Sequence, residues 1–352
     1  MHGITGTDTA SGDKLVWKSL ARYLAVAANK KMAKFVIAKH LTAEFERDDP
    51  LEMLWKQHMH LTKNFQNVED CSAALPEKSY LDLKVKIAEK ILERCNFCSR
   101  RCGVNRLADS LGFCGCGKAM NVSSIFVHLG EEPELVPSGT IFTMGCTIRC
   151  RHCQNWTISQ WKEAPMEYTP QELAREIENL RSEGCKNINL VGGEPTPWLK
   201  HWLETFQDVN VNVPVVWNSN SYYSQETAQL LAGFADVYLL DFKYGPGDCA
   251  DRISDAPNYW QVCTCNHLEA KKYGELIVRV LVLPGHLECC TKPILNWISQ
   301  NFGPEIRVNL MFQYHPAWRA SEIKELNRTL TKHEKTQAVE TAKKAGLKNF
   351  IT

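Results

Sequence analysis

The chain has 352 residues, 44% of them hydrophobic and 23% charged, with a formal net charge of +1. That is an ordinary globular composition with no field to gather nucleic acid, so no nucleic-acid partner is expected. There is no apolar run of about 18 residues, so no membrane partner is expected either, and the length suits two domains or a single α/β barrel.

Residues 1–14 lack a charged start followed by an apolar core, so they read as a disordered tail or a cloning remnant rather than a signal peptide. Fifteen cysteines without a signal peptide point to metal or catalysis in a reducing, cytoplasmic setting instead of disulfides. Nine of the fifteen lie between Cys71 and Cys153, so metal sites are expected there first.

Residues 15–94 read as a helical N-terminal region, broken at Asp48-Asp49-Pro50 and at Pro76. Its last helix, roughly Tyr80 to Glu93, lines up Leu81, Val85, Ala88 and Leu92. Leu81, Leu83, Val85 and Ile87 also alternate as in a strand. The helix is preferred because the apolar pattern continues past Ile87 at helical spacing.

Residues 95–136 read as a small cysteine-rich lobe followed by one or two short strands. Cys95-x2-Cys98-x3-Cys102-x11-Cys114 has the spacing of a metal site, either structural zinc or a closed 4Fe–4S cluster, with Cys116 as the other candidate for fourth ligand. The strands, within Asn121 to Val136, contain His128-Leu-Gly130-Glu131-Glu132-Pro133.

From residue 137 to 352 strands alternate with helices. Apolar strands are expected at Gly139–Gly145, Asn187–Val191, Val213–Ser219, Val237–Phe242, Ile277–Leu283 and Val308–Gln313. Capping boxes at Thr169…Glu172 and Thr331…Glu334 open helices that stop at Gly184 and Gly346, and further helices are read at Gln225–Ala232 and Thr291–Asn301. This alternation predicts an α/β fold, a partial (β/α)6 barrel with a parallel sheet and right-handed crossovers, whose chemistry sits at the C-terminal ends of the strands.

Just after the first of these strands comes Met-Gly-Cys146-Thr-Ile-Arg-Cys150-Arg-His152-Cys153. Three thiolates are one fewer than a 4Fe–4S cluster takes, so one iron would be open to a small molecule. The same three could also hold zinc, with His152 or a distant residue as the fourth ligand, or act as a redox pair. Later strand ends carry Gly192-Gly193-Glu194-Pro195, Asn218-Ser219-Asn220, Asp241-Phe-Lys243, Arg279 and His315. Plain turns or surface ion pairs would explain several of these, but Arg279 sits inside an apolar strand, where arginine needs a partner.

Taken together, the cysteine triplet and the strand-end series resemble the radical S-adenosylmethionine (SAM) superfamily. Over about residues 139–316 they are similar to pyruvate formate-lyase activating enzyme and its relatives, the glycyl-radical-enzyme activases. The resemblance implies a 4Fe–4S cluster on Cys146, Cys150 and Cys153, with SAM chelated at the open iron and cleaved reductively to a 5′-deoxyadenosyl radical. His152 stands where the family usually has an aromatic residue.

By the same resemblance, Gly192, Gly193 and Glu194 would face the SAM amino group. Lys243, Arg279 and His315 would contact its ribose, carboxylate or adenine. Asn218 and Asp241 fall where the activating enzyme holds a monovalent cation, although Asn218 replaces an aspartate. The implied partners are an electron donor such as flavodoxin or ferredoxin and a protein substrate that loses a glycine α-hydrogen.

The early cysteine lobe departs from the longer activases. It resembles instead a group of activating-enzyme-like proteins with a cysteine-rich element and an H-x-G-E-E-P segment before the core. That group also has the later loop Leu283-Pro-Gly-His286-Leu-Glu-Cys289-Cys290. His286 is a candidate for the substrate pocket, and Cys289 and Cys290 read as ordinary buried cysteines in preference to a third metal site. The alternatives are radical modification of another side chain, a peptide or a small molecule, or a non-catalytic zinc-stabilised α/β binding protein.

Overall fold

A computed structural model describes residues 9–65, 68 and 74–352, with side chains from residue 14 onward. Of the tail expected at residues 1–14, residues 1–8 lie outside the described residues, and the rest begins the helix Thr9–Ser19. Cys71 also lies outside them.

Among the described residues nine strands form one sheet. They are β1 (Met120–His128), β2 (Ser138–Thr143), β3 (Met166–Tyr168), β4 (Asn187–Gly192), β5 (Val215–Ser219), β6 (Val237–Phe242), β7 (Glu275–Leu281), β8 (Arg307–Met311) and β9 (Phe350–Ile351). Their spatial order is β3-β1-β2-β4-β5-β6-β7-β8-β9. From β2 through β9 every pairing is parallel, and β1 runs antiparallel to both β2 and β3.

The expected α/β partial barrel is therefore present, its six strands being β2 and β4 to β8. Their apolar runs are covered on both faces, as in parallel sheets generally. The strand expected within residues 121–136 is β1 alone, and residues 129–137 form a connection to β2. The short edge strands β3 and β9 carry no sequence signal of their own.

Helix Pro170–Ser182 starts at the expected capping box, buries Leu173, Ile177 and Leu180, and ends at Gly184 with φ +93°. Two crossover helices were not legible as such, Leu199–Asp208 between β4 and β5 and Tyr259–Tyr273 between β6 and β7. Residues 80–93 are helical, not extended, and the helix packs on Leu199–Asp208 outside the sheet. No helix among the described residues is long and apolar enough to cross a membrane.

The N-terminal helices seal the barrel at the starts of its strands. Arg22 pairs with Asp236, just before β6, and the Arg22 and Tyr23 amides donate to the Glu275 carboxylate at the head of β7. Leu20, Tyr23 and Leu135 pack there with Val216, Val237, Leu239 and Ile277. The opposite end, where β2 runs into the cysteine triplet, is the mouth.

Candidate active site at the barrel mouth

The triplet loop is held by three separate elements, and each thiol has a polar neighbour. Asn220 Nδ2, just past β5, donates to Cys146 Sγ at 3.5 Å. Ser254 Oγ, at the end of helix Cys249–Ser254, donates to Cys150 Sγ at 3.0 Å. Ser159 Oγ lies 3.3 Å from Cys153 Sγ. The loop backbone is also tied to that helix, through Arg149 N to Ser254 O at 2.8 Å and Arg151 N to Ile253 O at 3.0 Å.

Donors placed around sulfur are what bound thiolates require, so the donor set fits an iron–sulfur cluster. Without a metal charge, burial pushes the Cys150 thiol up to about 11, with the nearby Lys243 ammonium working against it. His152 is buried with Nε2 2.9 Å from Tyr244 Oη, and its ring meets that of Tyr314. Burial, helped by Lys243, lowers its pKa to about 3, so the imidazole is neutral.

The glycine pair after β4 closes onto this loop. Gly192 stands at φ +135°, and a Cβ on Gly193 would lie 2.0 Å from the Gly145 carbonyl oxygen. Only glycine allows β4 to end this close to the start of the cysteine loop.

Glu194 is buried, and its carboxylate accepts from Ser219 Oγ at 2.6 Å, Thr196 Oγ1 at 2.5 Å, and the amides of Thr196 and Asn220 at 3.3 and 2.9 Å. Three of those donors meet Oε1 and one meets Oε2, so Glu194 ties the ends of β4 and β5 together and keeps a lone pair on Oε2.

A row of polar side chains crosses the barrel interior. Asp241, Arg279 and Asn309 are register neighbours on β6, β7 and β8. Lys243 Nζ lies 2.5 Å from Asp241 Oδ2. Arg279 Nε and Nη2 each reach Glu132 at 2.8 Å, Nη2 also reaches Glu131, and Nη1 reaches Asn218 Oδ1 at 3.3 Å.

Asn309 Nδ2 donates to Glu132 at 2.8 Å and Asn189 Nδ2 to Glu131 at 2.9 Å. Burial alone would raise the Glu132 pKa, but Arg279 and Asn309 overbalance it and hold the carboxyl below its ordinary range. The partner that Arg279 needs is thus the Glu-Glu pair of the H-x-G-E-E-P segment. No short-range rule links the two glutamates to Arg279, which lies 147 positions after Glu132. His315, at the rim, lies with Nδ1 3.0 Å from Gln154 Nε2, beside Cys153.

In the cysteine-rich lobe Cys95, Cys98, Cys102 and Cys114 line one small cavity with Arg100 and Arg106. Cys116 is buried with its thiol 3.7 Å from the Met144 carbonyl. Arg106 is fully buried and donates to Pro197 O at 2.5 Å and Gly117 O at 2.9 Å, but its Nε has no partner. A buried cation with an idle donor beside four thiols fits an anionic tetrathiolate metal centre.

His286 is buried at the exit of β7. Its Nδ1 lies 2.8 Å from Pro284 O and its Nε2 lies 3.4 Å from Arg252 Nη2, which places it among ion pairs rather than in an open pocket.

Comparison with known proteins gives the following. The Radical SAM superfamily model matches residues 140–298. Uncharacterized protein MJ0674 of Methanocaldococcus jannaschii is 44% identical over 336 residues, covering 93% of this chain and 98% of its own. The pyruvate formate-lyase-activating enzyme of Staphylococcus aureus (strain USA300) is 27% identical over 159 residues, 42% of this chain and 62% of that one. Among solved structures, HydG, a maturase of the FeFe-hydrogenase, aligns at TM-score 0.45 with 14% identity, over 89% of this chain and 63% of its own.

Proposed function

We propose that this chain, which belongs to the radical SAM superfamily, is of the activating-enzyme type and takes a hydrogen atom from a glycine of a partner protein. The observation that carries the reading is the triplet at the barrel mouth, with Asn220, Ser159 and Ser254 set around its three thiols. Cys146, Cys150 and Cys153 would hold a 4Fe–4S cluster, which when bound would supply the one-electron chemistry for reductive cleavage of SAM. The electron comes from a donor of the flavodoxin or ferredoxin kind.

The chain's own part is to hold and shield. Gly192 and Gly193 bring the end of β4 against the cysteine loop, and Glu194 keeps that end joined to β5. Lys243, Arg279 and His315 would contact the carboxylate, ribose or adenine, and Asn218 and Asp241 stand where a monovalent cation would sit beside the carboxylate. His152 stays neutral and fills the wall behind Cys150 and Cys153. The activase assignment is supported by the partial match to pyruvate formate-lyase-activating enzyme and by these strand-end residues. We assign the second metal centre to Cys95, Cys98, Cys102 and Cys114, a donor set that serves zinc and 4Fe–4S alike.

The test uses protein with its clusters loaded anaerobically, reduced and given SAM, with host proteins carrying α-deuterated glycine as substrate. Deuterium in the released 5′-deoxyadenosine is expected. Cleavage without deuterium would remove glycine as the target, and no cleavage by iron-replete protein would sink the reading as a whole. Cys150→Ala should abolish cleavage and lower iron while leaving the far-UV circular dichroism unchanged.

A further inference from the structure

We propose that Cys249, His286 and Cys289 bind a zinc ion, separate from both cysteine clusters described above, and that this ion fixes the helix on which the triplet loop rests. The site is assembled from two places in the chain. Cys249 opens the helix Cys249–Ser254 after β6, and the other two follow β7 through the Pro284-Gly285 turn into a π-helical turn, Leu287–Thr291. Isolated π turns often mark sites where a side chain must be re-aimed. The turn packs directly on the chain after β6, since a Cβ on Gly245 would lie 2.0 Å from the Cys289 carbonyl oxygen.

The spacing of the ligand atoms is that of a single ion. Those of Cys249, His286 and Cys289 all lie within 4.8 Å of one another. Cys249 Sγ is 3.9 Å from Cys289 Sγ. Tetrahedral zinc with bonds of about 2.3 Å to sulfur sets its sulfurs about 3.8 Å apart. A disulfide would require about 2.05 Å.

The surroundings also suit a metal. Pro284 O accepts from His286 Nδ1, so the ring's lone pair lies on Nε2, where it faces Arg252 Nη2 until a metal takes it. Two thiolates and one neutral imidazole balance the charge of a dication. The Arg252 guanidinium sits 3.4 Å from His286 Nε2 and is steadied by Glu325 at 3.0 Å. The opposite end of the Cys249 helix gives Ser254 to Cys150 and two backbone carbonyls to the triplet loop. Clamping its first residue to the β7 exit would hold that support in place.

The test uses the full-length wild-type chain, isolated without oxygen, and follows alkylation of single cysteines by mass spectrometry. Cys289 and Cys265 are both exposed, so the reagent reaches each and Cys265 serves as the reference. The expected result is that a zinc chelator speeds the labelling of Cys289 at least about tenfold and leaves that of Cys265 unchanged. Zinc content should then fall by one equivalent per chain in Cys249→Ser/Cys289→Ser, with iron unchanged. A Cys289 labelling rate that the chelator leaves unchanged would overturn the proposal, as would a Cys249–Cys289 disulfide in the unlabelled protein or unchanged zinc in the double variant.

Discussion

Arg279 stands in the middle of β7 with its guanidinium shared among Glu132, Glu131 and Asn218, and its side chain and both carboxylates are largely out of water. Removing one member of such a group costs more than the group contributes, because the remaining charges stay buried. Arg279→Met is therefore expected to destabilise the fold by about 3–5 kcal/mol, measured by urea unfolding of protein in one metal state. Adding Glu131→Gln and Glu132→Gln to that variant should restore part of the loss. If the single variant is as stable as wild type, the carboxylates do not depend on the arginine. The sequence announced that Arg279 needed a partner but not which one, since Glu132 lies 147 positions away.

Helix Lys332–Lys344 shows an element whose start was legible and whose anchoring was not. Thr331 and Glu334 form the expected capping box, and Glu334 also accepts from Arg328 and from the Gly285 amide at the β7 exit. The Arg328 contacts lead in holding its carboxyl well below the ordinary value of 4.5. A depressed carboxylate stabilises the fold above its unfolded value, and that contribution is lost as pH falls through the folded one. Stability should therefore decline as pH drops below 4.5, and Glu334→Gln should flatten the decline, read as the urea midpoint against pH. An identical slope in the variant would remove Glu334 from the account.

The crossover helix Tyr259–Tyr273 escaped notice for a related reason. Its buried face carries Cys263, Asn266 and His267, so apolar periodicity does not mark it. Leu199–Asp208 lacks a side-chain cap and follows directly on a tight turn, so no start signal precedes it.

On the scale of the whole molecule, the described N-terminal helices Thr9–Ser19 and Ala21–Ala27 and the connection 129–137 close the end of the barrel opposite the cysteine triplet. Tyr23 joins them, donating to Glu134 O at 3.2 Å and accepting from Asn187 Nδ2 at 2.9 Å. Tyr23→Phe strands both partners in a buried setting and should cost about 1–3 kcal/mol. The loss should appear in one cooperative transition, seen alike by tryptophan fluorescence and circular dichroism. A separate early transition would mean that the N-terminal helices unfold independently of the barrel.

What the sequence determined by itself is what short-range rules govern. The spacing of three cysteines, capping boxes at Thr169 and Thr331, and apolar strands ending in polar residues were enough for a partial barrel with a thiolate site at its mouth. Tertiary structure alone decided which charges meet: Glu131 and Glu132 with Arg279, Arg106 with the early cysteines, and Cys249 with Cys289. The physical reason is that periodicity, caps and motif spacing act over a few residues. Electrostatic and ligand partners are instead chosen by which strand ends and connections the closed sheet brings together.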